Sequence, residues 1–146
     1  MNNEIQLVID NNILSEYNKH YFKLHPKAKK PPIEKPRHPS INQWMIMKRP
    51  QMNNTKQKWK DFMMWMVEYH GYTNLNIEKC EMKITTYFDI NRRHDVDNTV
   101  PKFFLDGLAE SKFIADDDSK HLISLTLEVG IDKENPRTEI YVLIKE

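Results

Sequence analysis

Hydrophobic and polar positions alternate in four separate stretches of the chain. These stretches are residues 4–10, 79–90, 121–131 and 138–146. A period of two residues places successive side chains on opposite faces of an extended chain, so each stretch is predicted to be a β-strand. The sequence DKENP at 132–136 predicts a turn between the last two strands.

Two further stretches repeat their hydrophobic residues every three or four positions, which is the spacing of one helix face. They are residues 55–70 and residues 99–111. In the second stretch Pro101 suits the first turn, where no N–H is required, and Asp97 or Asn98 can cap the helix. The sequence therefore predicts two helices that pack on the strands.

Residues 11–38 lack such a period and are rich in asparagine, lysine, proline and histidine. Proline lacks the N–H of a helix interior and clashes with the preceding turn. We therefore predict a loop or an extended, basic insertion over 11–38. The prolines on which this prediction depends are Pro26, Pro31, Pro32, Pro36 and Pro39.

The predicted order is strand, basic insertion, helix, strand, helix and two strands. Over residues 1–146 this order predicts one α/β domain of the α+β type, with a mixed β-sheet packed against helices. No apolar run approaches the roughly 18 residues that cross a bilayer. The amino terminus also lacks a basic leader followed by an apolar stretch. We expect a cytoplasmic protein without a membrane partner.

The net charge of +1 conceals a strong asymmetry along the chain. Between Lys19 and Lys60 there are 12 Lys or Arg residues and one acid, Glu34, so this part carries +11 and the remainder −10. A basic block of this kind is typical of a protein that attracts a polyanion. The alternative is a solvated loop that happens to be rich in lysine.

Two groups of aspartates flank the predicted helix 99–111. Asp95 and Asp97 follow a strand and, if that strand continues through them, point to the same face. Residues 116–118, three consecutive aspartates, follow about twenty residues later, where the chain returns to the sheet. Carboxylate oxygens are the ligands that Mg²⁺ and Mn²⁺ prefer, so the pattern predicts a site for a hard cation.

Ordinary structural roles remain an alternative for these aspartates. Asp before a helix is a common cap, and consecutive aspartates before Ser119 are common in turns. Neighbouring basic residues can also offset the repulsion between the carboxylates, namely Arg92, Arg93, His94 and Lys102.

Other chemistries find little support in the sequence. Cys80 is the one cysteine, so neither an internal disulfide nor a multi-cysteine zinc site is possible. His20 and His25 have no partners at zinc spacing. Three glycines form no phosphate-binding loop, and no serine–histidine or cysteine–histidine nucleophile is indicated.

The stretch 92–122 resembles the catalytic core of the RusA family of Holliday-junction resolvases. That family carries Asp-x-Asp-Asn at a strand end, a lysine in the next helix, a Leu-Asp-small-Leu segment, and a hydrophobic pair before Asp-Asp. The matching residues are 95–98, Lys102, 105–108, 113–114 and 116–117, and upstream Pro-Ser-Ile-Asn at 39–42 resembles the family's Pro-Ser-x-Asn.

Two departures from the family pattern stand out. Lys102 follows Asn98 by four residues rather than three, and Pro101 is the apparent insertion. A lysine-rich stretch of about thirty residues also separates the first strand from segment 39–42. Their role cannot be carried over from the family.

The resemblance implies a catalytic set of Asp95, Asp97, Asp117 and Lys102. The three aspartates would bind Mg²⁺ or Mn²⁺, and the lysine would contact the scissile phosphate. Asp116 is the alternative for the third ligand. The catalytic acid is the second of the Asp-Asp pair in this pattern, which leaves Asp118 to cap the turn.

The same resemblance implies a homodimer that cuts a four-way DNA junction by phosphodiester hydrolysis, and it suggests a phage or prophage setting. The residues expected to hold the nucleic-acid backbone are Arg92, Arg93, Lys27, Lys29, Lys30, Lys48 and Arg49. Two alternatives remain: a protein that binds branched DNA without cutting it, and a structural or regulatory protein whose acidic turn binds metal only for folding.

Overall fold

The first and last strands of the chain are neighbours in the sheet. The computed structural model describes residues 3–146. The elements in chain order are β1 Glu4–Asp10, α1 Asn11–Leu24, α2 Ile41–Trp44, α3 Arg49–Tyr69, β2 Cys80–Phe88, a 3₁₀ helix Val96–Thr99, α4 Lys102–Glu110, β3 Leu122–Ile131 and β4 Arg137–Ile144.

The four strands form one sheet in the order β1-β4-β2-β3. The pairs β1–β4 and β4–β2 are antiparallel, whereas β2 and β3 run parallel. Ile84 of β2 lies opposite Ile140 of β4 and Leu127 of β3. The predicted α+β class with a mixed sheet is therefore confirmed.

One hydrophobic core joins the sheet to the helices. Alternate residues of β2 and β4, such as Ile84 and Ile140, are buried together with residues of α3 and α4. The two helices approach so closely that a Cβ added to Gly107 would lie 2.5 Å from the Cβ of Met63. A glycine at this position lets the backbone of α4 come close to α3.

Residues 11–24 form helix α1, so the predicted loop over 11–38 is wrong in its first half. Asp10 caps this helix, because its side chain accepts a hydrogen bond from the N–H of Ile13. Leu14 and Tyr17 are buried on one face. All the prolines that argue against a helix come after Leu24, so they place no restriction on these residues.

Three other boundaries differ from the sequence prediction. Helix α3 begins at Arg49, with Pro50 in its first turn, rather than at residue 55. A one-turn helix, α2, follows a capping box in which Ser40 and Gln43 exchange hydrogen bonds. The predicted helix over 99–111 is divided, because Pro101 separates the 3₁₀ helix from α4.

Within residues 3–146, none of the helices combines the length and the apolar character that a membrane span requires.

Candidate functional site

Asp95 and Asp97 do not lie on a continuous strand. Strand β2 ends at Phe88, and Asp97 belongs to the 3₁₀ helix Val96–Thr99. The expectation that a continuing strand points both carboxylates to one face is therefore not met. Both residues are exposed, and Oδ1 of Asp95 accepts a hydrogen bond from Nε of Arg93 at 3.1 Å. The N-cap of α4 is Pro101 rather than the predicted Asp97 or Asn98. Asp95 is the N-cap of the 3₁₀ helix but makes no side-chain cap hydrogen bond.

Asp95 lines a cavity of about 350 Å³ that we call the arginine cavity. The cavity lies between the segment that follows β2 and residues 31–39 before α2, which we call the proline-rich segment. Its defining residues are Arg37, Arg92, Arg93, His94 and Asp95. The cavity thus brings Arg92 and Arg93, two of the three arginines predicted to contact DNA, together with one predicted metal ligand.

His38 fastens the proline-rich segment to the start of α4. Its Nε2 accepts a hydrogen bond from the backbone N–H of Phe103 at 2.9 Å, and its Nδ1–H donates to the carbonyl of Pro39 at 2.8 Å. The imidazole stacks on the ring of Phe103 with 4.8 Å between centroids. Burial lowers the pKa of His38 to about 4, although the Pro39 hydrogen bond and the charge of Asp106 oppose the shift. The ring is therefore neutral at physiological pH.

Asp116 and Asp117 lie in a second depression, which we call the acidic depression. Its defining residues are Lys56, Lys60, Asp106, Asp116 and Asp117. The turn that carries the two aspartates adjoins the start of β2, since the N–H of Cys80 donates to the carbonyl of His121. The Asp95 segment, by contrast, follows the end of β2.

Asp106 connects two lysines at the acidic depression. Its Oδ1 accepts a hydrogen bond from Nζ of Lys102 at 3.3 Å, and its Oδ2 lies 3.7 Å from Nζ of Lys56. This Oδ2 atom is buried and accepts no hydrogen bond from any described residue. Lys102, predicted to contact a phosphate, is thus held in an ion pair in this structure.

The pKa values of the Asp116 and Asp117 carboxyl groups are shifted in opposite directions. Partial burial raises the pKa of Asp117, and a hydrogen bond with the side chain of Asp116 and the charge of Asp106 raise it further, while Lys102 opposes the rise. Hydrogen bonds from Asp117 lower the pKa of Asp116, chiefly the one from the backbone N–H at 2.8 Å. A carboxyl with a raised pKa in a cleft is typical of functional sites.

Asp118 has a structural role in the turn. Its Oδ1 accepts hydrogen bonds from the backbone N–H groups of Lys120 and His121 at 3.0 and 3.2 Å. The prediction that Asp118 caps this turn is confirmed. Of the three consecutive aspartates, the two that remain lie at the acidic depression.

The structure does not gather Asp95, Asp97 and Asp117 into one site. Asp95 lines the arginine cavity and Asp117 the acidic depression. Over residues 3–146, no group of three His, Cys, Asp or Glu side chains has an arrangement that could hold a metal ion. The carboxylate donors suit Mg²⁺ chemically, but their arrangement within one chain does not fit the three-ligand site that the resemblance implies.

Sequence reasoning missed several residues that shape these sites, among them His38, Lys56 and Asp106. For Asp106 a signal was present, because it follows Lys102 by four residues on a helix and i,i+4 pairs of opposite charge meet. Lys56 is one of many lysines in the basic stretch, and only the packing of α3 against α4 brings it to Asp106. No local pattern distinguishes His38.

The predicted DNA-contacting lysines and arginines lie at the surface. The residues Lys27, Lys29, Lys30, Lys48, Arg49, Arg92 and Arg93 are all exposed. The first three belong to the irregular segment after α1, and Lys48 and Arg49 begin α3. All of them are accessible to a polyanion.

A scan against protein-family models found no match for this chain, and a search of curated proteins found none either.

Proposed function

We propose that this chain is a metal-dependent endonuclease that cuts branched DNA, with a four-way junction as the preferred substrate and Mg²⁺ or Mn²⁺ as the cofactor. The observation that carries the proposal is the environment of Asp117. Its carboxyl lies with Asp116 and Asp106 in an open depression beside lysines, and its pKa is raised. It also occupies the position that resembles the catalytic acid of the RusA family.

The residues of the acidic depression suit the handling of a phosphodiester. The ammonium groups of Lys56 and Lys102 meet at Asp106, and from there they can neutralise charge on an approaching phosphate. A carboxyl whose pKa is raised exchanges its proton closer to neutral pH than an isolated one. Asp117 is therefore suited to hold or release a proton beside the phosphate.

The test is cleavage of labelled four-way junctions and of linear duplex by the purified protein, with and without Mg²⁺. We expect cleavage of the junction alone, dependent on the metal. Asp117→Asn should abolish it, and the matched variant Asp118→Asn should cut at nearly the wild-type rate because Asp118 caps the turn. Normal cleavage by Asp117→Asn together with an inactive Asp118→Asn would contradict the assignment of this turn.

A second candidate is a protein that binds branched DNA without cutting it. The observation in its favour is that Asp95 and Asp117 line different depressions. Junction binding in EDTA, with no cleavage in either Mg²⁺ or Mn²⁺, would select this candidate over the nuclease.

We also propose that the protein works as a homodimer. Strand β3 pairs with β2 alone among the described strands, and Ile123, Leu125 and Ile131 on it are 43%, 37% and 40% exposed. An edge strand with one unpaired side and exposed apolar residues favours association with a second chain. Two-fold symmetry would also match that of a four-way junction. Light scattering after size-exclusion chromatography should give about twice the 17.6 kDa of one chain.

A further inference from the structure

In the arginine cavity, the ring of Phe88 is stacked with one imidazole and lies near one guanidinium. The ring of His94 lies on the ring of Phe88 with 3.6 Å between centroids and 7° between planes. The guanidinium of Arg37 lies 5.1 Å from the centroid of the same phenyl ring. The stack of His94 on Phe88 ends on the outer face of His94.

The ring of His94 is held in a fixed orientation. Its Nε2 forms a hydrogen bond with the carbonyl of Ile90 at 3.2 Å, so both the stack and this bond fix the orientation of the ring. Among the described residues, Phe88 is the one ring that contacts His94. Unpaired nucleobases bind proteins chiefly by stacking on aromatic and guanidinium planes of this kind.

The same cavity offers cationic groups for a phosphate. Arg37 is paired with Asp89 at 3.7 Å and Arg93 with Asp95 at 3.1 Å. Arg92 makes no ion pair within residues 3–146 and lines the cavity, so its guanidinium is available. Guanidinium groups bind phosphate through two parallel hydrogen bonds.

Amide side chains complete the lining. Gln43 uses its Oε1 to accept a hydrogen bond from the N–H of Ser40, which leaves the two Nε2 hydrogens free to donate. Asn98, which is half-buried, adds a second amide to the wall. Amides both donate and accept, as recognition of a base edge requires. The volume of about 350 Å³ lies within the usual range of small-molecule sites.

We propose that the arginine cavity binds one unstacked nucleotide of the DNA, with its base on His94 and its phosphate at Arg92. This inference rests on the proposed function for its ligand and adds a site that selects the base. Because Asp95 lines the same cavity, the selected nucleotide lies next to a predicted catalytic carboxylate. Any sequence preference in cleavage then originates here, through Gln43 and Asn98.

The test uses two DNA duplexes of the same sequence, each containing 2-aminopurine, whose fluorescence is quenched when it stacks. In one duplex the 2-aminopurine is a single-nucleotide bulge, and in the other it is paired. Binding and fluorescence are measured in EDTA, so no cleavage occurs. We expect the wild-type protein to prefer the bulged duplex by about tenfold or more and to quench its fluorescence, as stacking of one base predicts.

The variants His94→Ala and Arg92→Gln should each lose most of that preference while binding of the paired duplex changes little. The matched controls are His70→Ala and Lys133→Gln, which replace exposed residues outside the cavity and should behave as wild type. Circular dichroism confirms that each variant is folded. Equal affinity for the two duplexes, or an unchanged preference in His94→Ala, would overturn the inference.

Inorganic phosphate serves as the competitor that separates a nucleotide site from a simple anion site. Competition without any quenching of the bulged base would mean that the cavity binds anions only, and this too would overturn the inference. These results do not decide the proposed nuclease activity, which is tested separately by junction cleavage. A selective, quenching protein that never cuts junctions retains the nucleotide site, whereas a cutting protein without selectivity at His94 retains only the nuclease.

Discussion

The arginine cavity and the acidic depression both receive residues from the segment between β2 and β3, yet they are built in opposite ways. In the arginine cavity, stacked rings and hydrogen bonds between distant parts of the chain hold the walls, as at His38 and Phe103. In the acidic depression, the exposed lysines Lys56 and Lys102 pair with Asp106, whose side chain is only 16% exposed.

The difference teaches that one continuous sequence motif can serve two surfaces. Asp95 and Asp117 belong to the same thirty-residue resemblance, but they lie at sites with different chemistry. The arginine cavity is suited to holding a nucleotide in a fixed orientation. In the acidic depression, the lysines that pair with Asp106 are exposed and can contact an approaching phosphate.

The largest effect is expected for Asp97→Asn, which tests a predicted metal ligand that lines neither of the two surfaces. We expect a loss of junction cleavage that exceeds the roughly 10- to 100-fold typical of residues behind a metal ligand. Binding should persist, since cationic contacts supply most of the affinity. Single-turnover cleavage and gel-shift binding are measured together with Asp117→Asn. Wild-type turnover by Asp97→Asn would exclude Asp97 as a metal ligand.

The next effect concerns His38, which anchors the wall of the arginine cavity. Its pKa is about 4 in the folded protein, against an ordinary value of 6.5. Below pH 6.5 the unfolded chain therefore binds a proton that the folded chain excludes. The contribution of His38 to the free energy of unfolding is therefore fully present above pH 6.5. It decreases by about 3 kcal/mol as the pH is lowered to 4.

Urea denaturation at pH 7 and pH 4 tests this expectation against His38→Gln, which keeps a side-chain acceptor but cannot titrate. The variant should lose less stability than the wild type between the two pH values, because other titrating groups are common to both proteins. An identical pH dependence would show that His38 does not hold the cavity wall in its neutral form.

A smaller effect is expected from neutralising Lys27, Lys29 and Lys30 together. These exposed residues lie outside both surfaces. If they bind phosphates, the slope of the logarithm of the binding constant against the logarithm of salt concentration should decrease by roughly one for each lysine–phosphate pair that the substitutions remove. Fluorescence anisotropy at several salt concentrations measures this slope. The same slope in the triple variant would indicate a solvated face.

The smallest effect is a change in titration within the acidic depression. Burial and Asp116 contribute most to the raised pKa of Asp117, and the charge of Asp106 adds to them. Asp106→Asn should therefore lower the pKa of Asp117, as followed by carbon-13 carboxyl resonances. Glu110→Gln, which removes another acid that lines the depression, serves as the control and should leave the titration unchanged. If the pKa of Asp117 is the same in Asp106→Asn as in the wild type, the charge of Asp106 does not influence the Asp117 carboxyl.

The sequence predicts the fold better than it predicts the sites. All four strands lie where alternation places them, because a two-residue period indicates which side chains face the core. Helix α1 was not predicted, because the loop prediction relied on the composition of the whole stretch 11–38 rather than on the local helical spacing of Leu14 and Tyr17. Composition averages over a range, whereas helix formation depends on each turn.

The candidate sites depend on contacts between residues far apart in the chain. The pairing of Lys56 with Asp106 follows from how α3 packs on α4, which the close approach at Gly107 permits. The path of residues 89–95 after β2 is irregular, so no periodic pattern could place Asp95. The contacts that can be predicted from the sequence are local ones, namely the turn-capping role of Asp118 and the i,i+4 pair of Lys102 with Asp106.

The attachment of the proline-rich segment has a consequence for the order in which the protein folds. Two hydrogen bonds hold this segment, one from Phe103 N–H to His38 and one from Thr138 Oγ1 to the carbonyl of Pro36, and they join residues 65 and 102 positions apart. Closing loops of that length carries an entropic cost that local contacts avoid. We therefore expect the segment to dock late, after β4 has entered the sheet, so that the arginine cavity is among the last parts of the molecule to form during folding.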